Sequence, residues 1–154
     1  MEAYRASFLH CLADPGEHAD PAAVEYIEDG ILVIDGGRVA GLGAADSMLE
    51  SLPSGIEATD YRGKLIVPGF IDCHVHFPQL DIIGSFGAQL LDWLNHYAYP
   101  AEMRFADPAY AREVALVFVD ELLRNGTTTA RVFGTVHPHS ADAILEVAEA
   151  HGMS

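Results

Sequence analysis

Two histidines one residue apart, His74 and His76, close the segment PGFIDCHVHFPQ, Pro68 to Gln79. The run before them, Leu65-Ile66-Val67 and then Phe70-Ile71, is apolar and β-prone. In a strand, alternate side chains share a face. His74 and His76 are therefore expected to project together, with Cys73 and Val75 on the other side. Two neutral imidazoles at the end of a buried strand can hold two corners of a metal site, and zinc is the metal best matched to them. Iron or nickel would also accept such a pair. Asp72 falls on the histidine face, where a carboxylate can orient a ligand from behind. Gln79 follows three residues after His76. Its carboxamide both donates and accepts, which suits the polar edge of a bound ligand. Phe77 either packs on a bound ring or fills the loop, and Pro78 stiffens the turn.

The remaining candidates read more plainly. Trp93, the single tryptophan, is expected in the core, with the border of a pocket as its other reading. Asp81 and Asp92 are read as structural. His137-Pro138-His139 repeats the spacing, but proline breaks strand geometry, so these are loop histidines. His10, His18, His96 and His151 have no companion pattern. No phosphate-binding glycine loop, nucleophile elbow or Cys-x-x-Cys is present.

The elements that must position these residues fall into two parts. Residues 1–64 contain short β-type runs, Val24 to Ile27, Ile31 to Ile34 and Arg38 to Leu42, punctuated by Asp29-Gly30 and Gly36-Gly37. Asp14 to Ala23 reads as a loop, Ala45 to Leu52 as a short helix and Thr59 to Lys64 as a further strand. Residues 65–154 alternate strand and helix. Leu65 to His74 is the first strand. Ala88 to Tyr97 is a helix with Leu90, Leu91 and Leu94 as its apolar face. Asp107-Pro108 starts a better helix, with Asp107 as cap and an inward stripe of Ala111, Val114, Ala115, Phe118 and Leu122. Asn125-Gly126 ends it. Thr127 to Phe133 is the second strand. Ser140 caps a last helix with Ile144, Leu145 and Ala148 inward. Strand, helix, strand, helix implies parallel strands joined by helical crossovers, an α/β class.

The segment PGFIDCHVHFPQ resembles the first barrel strand of the amidohydrolase superfamily. LDIIGSFGAQLLDWLNHYAYPAEMRFADPAYA and DELLRNGTTTARVFGTVHP narrow the resemblance to the guanine deaminases, from Val24 to the C-terminus. That resemblance implies a partial (β/α)8 TIM-type barrel, its first two β/α units, after a small N-terminal β-sandwich-like region (1–64) usually completed by C-terminal strands. It implies hydrolytic deamination: activated water attacks the amino-bearing carbon of guanine, ammonia leaves, and xanthine results. A zinc ion, one per site, would supply that water by lowering its pKa from 15.7 to about 7. His74 and His76 become metal ligands, and His76, Phe77, Pro78 and Gln79 the substrate-binding segment. The other ligands, two histidines and an aspartate, and the proton-shuttle glutamate come from later strands, so no catalytic proton shuttle is expected within this chain. A full barrel takes about 250 residues, and 154 residues correspond to an N-terminal portion. Two alternatives stand beside this reading. One is an enzyme of the same superfamily acting on another heterocycle. The other is an inactive fragment that associates through open strand edges and uncovered helix faces.

Composition narrows the partners. Half the residues are apolar, enough for a core and against disorder. The net charge of −15 repels phosphate backbones, which excludes a nucleic-acid polymer but not a free base. No apolar run reaches the ~20 residues of a membrane span, and the N-terminus has no basic start of a signal peptide. Cys11 and Cys73 do not make a disulfide framework, which fits the cytoplasm. A homodimer is what the resemblance implies for a full-length enzyme.

Overall fold

The computed structural model describes residues 1–87 and 89–154. It is a mixed α/β fold in two compact units, Met1–Pro68 and Gly69–Ser154.

The first unit is built on one four-stranded sheet. Its strands are β1 (Glu2–Cys11), β2 (Val24–Asp35), β3 (Arg38–Ala44) and β4 (Ala58–Ile66), in the order β3-β2-β1-β4. The pairs β1/β2 and β2/β3 are antiparallel, and β1/β4 is parallel. Helix α1 (Ala45–Ser51) covers a small core of Ala3, Ile31, Val33 and Ala45. Gly36 and Gly37 make the β2–β3 turn, both at positive φ, as a tight hairpin demands. Asp29-Gly30 does not turn: it lies inside β2, where the register with β1 slips between Ala6 and Phe8. Glycine is needed there because a Cβ would meet the Phe8 ring at 2.8 Å. The expected runs Val24 to Ile27 and Ile31 to Ile34 are thus one strand with a bulge.

The second unit carries the histidines. Its strands, β5 (Phe70–His76) and β6 (Thr127–Phe133), are parallel. The first strand was expected to run from Leu65 to His74, but Leu65 and Ile66 end β4 and β5 begins at Phe70. Pro68 has no N–H to give a ladder. At Gly69 a Cβ would fall 2.0 Å from the Thr128 hydroxyl, so only glycine fits against β6. The ladder then starts as Phe70 N–H donates to the Gly126 carbonyl at 2.8 Å.

After β5 come a 3₁₀ segment (Phe77–Ile82), helix α2 (Leu90–Trp93), a π-turn (Leu94–Ala98), helix α3 (Tyr99–Met103) and a further 3₁₀ turn (Arg104–Ala106). The helix expected over Ala88 to Tyr97 differs: Ala88 lies outside the described residues, and the helical path runs on to Ala106 with a π-turn in it. Pro100 cannot donate to the carbonyl four residues back, and a π-turn is one way past that break. Leu90 and Leu91 are about 70% exposed, so they do not form the inward face; Ala98, Ala101 and Phe105 do.

Helix α4 (Pro108–Arg124) starts as its sequence predicts: Asp107 caps it by accepting from Ala109 N–H, and Pro108 sits in the first turn. Ala111, Val114, Ala115 and Phe118 of the expected stripe are buried, with Val119 beside them. Helix α5 (Pro138–Ala150) packs on α4. Its cap position is His137 rather than Ser140. Pro138 fits the first turn, which moves the start three residues earlier and leaves Ser140 inside, its hydroxyl donating back to the His137 carbonyl. Val147 takes the buried position expected for Leu145, which is exposed. Beside β6, Ser154 N–H donates to the Thr128 carbonyl and Ala130 N–H to the Ser154 carbonyl.

Candidate metal centre and its cavity

The two imidazoles converge. His74 Nε2 and His76 Nε2 lie 3.1 Å apart, with ring centroids 5.1 Å apart. The strand that brings them together is not regular: the β5/β6 register slips between Asp72 and Val75. Asp72 acts at this bulge, but not on an imidazole. Its Oδ1 accepts from the His74 backbone N–H at 2.9 Å, so the carboxylate sets the backbone that carries the ligand. Val75 turns to the other side and packs on the α4–α5 core. Cys73 is exposed.

Does the pair fit a metal ion? Two zinc–nitrogen bonds of about 2.05 Å meeting at the tetrahedral angle put their nitrogens about 3.3 Å apart. The observed 3.1 Å matches that span, and both nitrogens face the same space. Among the described residues no group of three or more His, Cys, Asp or Glu side chains forms a closed ligand set. Among the described residues the pair could supply at most two corners of such a site.

An open cavity of about 320 Å³ adjoins the pair, in the usual size range of small-molecule sites. His74, His76, Gln79, Ile82, Ile83 and Trp93 are among the side chains that line it. Gln79 is half-buried on this wall, so its carboxamide is available to a ligand. Trp93 is half-buried as well and borders the cavity, the second of its two sequence readings. Its indole N–H donates to the Ser85 hydroxyl and carbonyl at 3.0 and 3.2 Å, which ties the loop after Ile82 to α2.

Phe77 and Pro78 do not reach the cavity with their side chains. Phe77 is 0% exposed and meets Phe105 edge-on at 5.1 Å, so it fills the core. Pro78 is fully buried. Together they root the segment that carries His76 and Gln79. Asp81 is structural, as its sequence reading has it: it accepts from Arg104 and from the Tyr110 hydroxyl, both at 2.8 Å. The Arg104 guanidinium lies 4.0 Å over the Tyr110 ring. Burial, and then the Asp81 carboxylate, push the Tyr110 phenol up to about 12. His137 occupies the cap position of α5 without a side-chain cap bond, and His139 lies in the first helical turn rather than in a loop; among the described residues neither belongs to a group of three or more potential metal ligands.

Sequence reasoning missed Phe133. Its ring lies 4.5 Å from that of His74 and 4.8 Å from that of His76, nearly parallel to the latter. The signal was there in outline. Phe133 is the last residue of TTTARVF, and two parallel strands that end at one mouth place their last residues side by side; the observed register pairs His76 with Phe133.

Comparison with known proteins agrees with this architecture. A sequence model of the Amidohydrolase family matches residues 65–153. A guanine deaminase of Escherichia coli is 48% identical over 151 residues, covering 96% of this chain and 34% of that protein. The solved structure of E. coli guanine deaminase superposes with a TM-score of 0.91 at 46% identity, over 99% of this chain and 36% of that one. A guanine deaminase from C. acetobutylicum, solved with guanine bound in its active site, gives 0.79 at 25% identity, over 99% of this chain and 34% of that one. This chain thus spans about a third of the length of the relatives it matches.

Proposed function

The chain belongs to the amidohydrolase family, and from that premise we propose that it forms part of a zinc-dependent guanine deaminase. The reaction is hydrolysis: water adds at the amino-bearing carbon, the carbon–nitrogen bond breaks, and guanine becomes xanthine and ammonia. The observation that carries this reading is the convergence of His74 and His76 to 3.1 Å on the wall of a cavity that Gln79 shares.

His74 and His76 would hold one zinc ion. Zinc so held supplies activated water at neutral pH. Gln79 orients the base: its carbonyl accepts from a ring or amino N–H, and its amide donates to a ring nitrogen or the carbonyl oxygen. Ile82, Ile83 and the Trp93 indole offer apolar surface to the faces of a planar heterocycle. Phe77 and Pro78 act from below, holding the His76–Gln79 segment in place. The remaining ligands and the proton-shuttle glutamate would come from outside these 154 residues.

The same reading takes β5 and β6 as the first two strands of a (β/α)8 barrel, within residues 65–154, and residues 1–64 as part of a composite β-sandwich. The backbone bonds of Ser154 to the free edge of β6 support a third parallel strand there. A cytoplasmic home is supported by two exposed, unpaired cysteines, Cys11 and Cys73. No helix among the described residues is long and apolar enough to cross a membrane. The homodimer rests on the resemblance to guanine deaminases alone.

The test uses a polypeptide that carries this chain together with the remaining two thirds of the relatives' length. Supplied with zinc and guanine, it should release ammonia and form xanthine. Gln79→Ala should lower kcat/KM for guanine about 10- to 100-fold, the size expected when a buried polar partner is lost. Turnover of some other heterocycle, with guanine untouched, would reject the substrate assignment.

A further inference from the structure

Among the described residues, neither imidazole of the pair donates to a carboxylate or a backbone carbonyl. Metal-binding imidazoles commonly donate their second N–H to a carboxylate, a carbonyl or water, which sets both tautomer and tilt. Here the carboxylate nearest in sequence, Asp72, is engaged by the His74 backbone N–H. Among the described residues, the one hydrogen bond made by either imidazole is the contact between the two Nε2 atoms. Something else also contacts both rings.

That something is a third ring. Phe133 lies 4.5 Å from His74 with a 33° tilt and 4.8 Å from His76 with a 15° tilt. The three centroids, with 5.1 Å between the histidines, close a triangle. All three separations fall within the 4.5–7 Å of favourable aromatic contact. The ladder pairs His76 with Phe133, so the phenyl is fixed to β6 at the height of the ligand nitrogens. The β5 bulge turns His74 onto the same triangle.

We propose that Phe133 is a positioning residue for the metal ligands: its ring packs on both imidazoles and holds both Nε2 atoms toward one ion. This rests on the reading of His74 and His76 as ligands. The phenyl touches neither ion nor base and acts only through the imidazoles. A flat ring restricts how each imidazole can rotate; a methyl group leaves that rotation free. Tyrosine keeps the ring and should keep the function, whereas leucine keeps apolar bulk without the flat face.

The experiment uses the 154-residue chain, with zinc itself as the probe. Zinc affinity is measured by competition with a chromophoric chelator for wild type, Phe133→Tyr, Phe133→Leu, Phe133→Ala and the double variant His74→Ala/His76→Ala. Histidine ring carbon–proton NMR spectra are recorded without metal, and far-UV circular dichroism checks each fold. The expected result is a loss of about tenfold or more for F133A, the lower end of what losing an orienting partner costs a metal site. F133Y should stay within about twofold of wild type, and F133L should fall between. The metal-free spectra should agree: the ring-current-shifted His74 and His76 signals move toward ordinary positions in F133A but not in F133Y. Should F133A fail to fold, F133L against F133Y decides the matter by the same two readouts. Equal affinities across the Phe133 series, with the double-histidine variant weaker, would overturn the positioning role and leave the metal site standing. Wild type binding no tighter than the double-histidine variant would remove the site itself, and the proposal with it.

Discussion

Gly69→Ala puts the packing of the second unit to a sharp test. A Cβ at Gly69 would lie 2.0 Å from Thr128 Oγ1, 2.4 Å from Cγ2 and 2.7 Å from Cβ. Comfortable carbon–carbon contact is about 3.5–4.0 Å. Rotating the threonine can move Oγ1 and Cγ2 aside. It cannot move Thr128 Cβ, which is bonded to the β6 backbone, so the strands must separate by roughly 0.8–1.3 Å where β5 begins. Overpacking of this kind costs about 1–3 kcal/mol. The assay is urea denaturation followed by the fluorescence of Trp93, the single tryptophan, which lies in the same unit. Two double variants refine the test. Thr128→Ala removes the two nearest atoms but leaves the third, so Gly69→Ala should be only partly relieved on that background. Thr128→Gly clears all three and should abolish the Gly69→Ala penalty, whatever Thr128→Gly costs alone. A Gly69→Ala chain within about 0.5 kcal/mol of wild type, the range of an ordinary surface change, would refute the reasoning. So would an equal penalty on all three backgrounds.

Phe77→Ala should cost about 3–5 kcal/mol by the same fluorescence assay, because the ring is wholly buried against Phe105 and Phe118; Phe77→Leu should cost clearly less, and equal losses would deny that the ring contacts matter. Tyr110 should ionise near pH 12 rather than 10 in an ultraviolet absorbance titration, and Asp81→Asn should bring it part of the way down. Since the folded state favours the neutral phenol, its contribution to stability is complete below pH 10 and is lost as pH rises toward 12; an unshifted titration would contradict the buried geometry. In the first unit, Arg5 holds the Asp29 carboxyl below its ordinary range, and Arg62 holds Asp60 at about 2. Their contribution is therefore present above about pH 4 and lost as pH falls toward 2. Acid titration of the sheet by circular dichroism should show that loss, and Asp29→Asn should make it shallower.

Much of the second unit is legible along the chain because its signals are local. Asp107 and Pro108 carry the start of α4 in adjacent residues, and the observed cap is the expected one. The β-branched run from Thr127 to Phe133 is a strand with its expected bounds. His74 and His76 project together because a two-residue spacing settles it. Strand β1 escaped notice for a physical reason. Its buried positions, Ala3, Ala6 and Phe8, are three and then two residues apart, so they show no strict alternation. Two of the three are alanines, which give little apolar signal. Pro68 is a local sign of the break within the expected first strand, but the need for glycine at Gly69 depends on Thr128, about sixty residues away in the sequence.

The same division runs through the site. The spacing of His74 and His76 is a property of one strand, whereas the tilt of their rings depends on a second. A one-residue slip of β5 against β6 would leave the motif intact, yet it would reverse which face meets the Phe133 ring. His-x-His alone therefore specifies donor atoms but not a metal site. On the proposed reading, what would turn the donors into half a site is the pairing of His76 with Phe133, together with the Asp72 carboxylate that accepts from the His74 backbone at the bulge. Substitutions at Asp72 or Phe133 should then impair metal binding while leaving the motif unchanged, and a search by motif alone would count such a chain as competent. The local geometry of the two strands, rather than the presence of two histidines, is what a functional reading of a divergent relative has to establish.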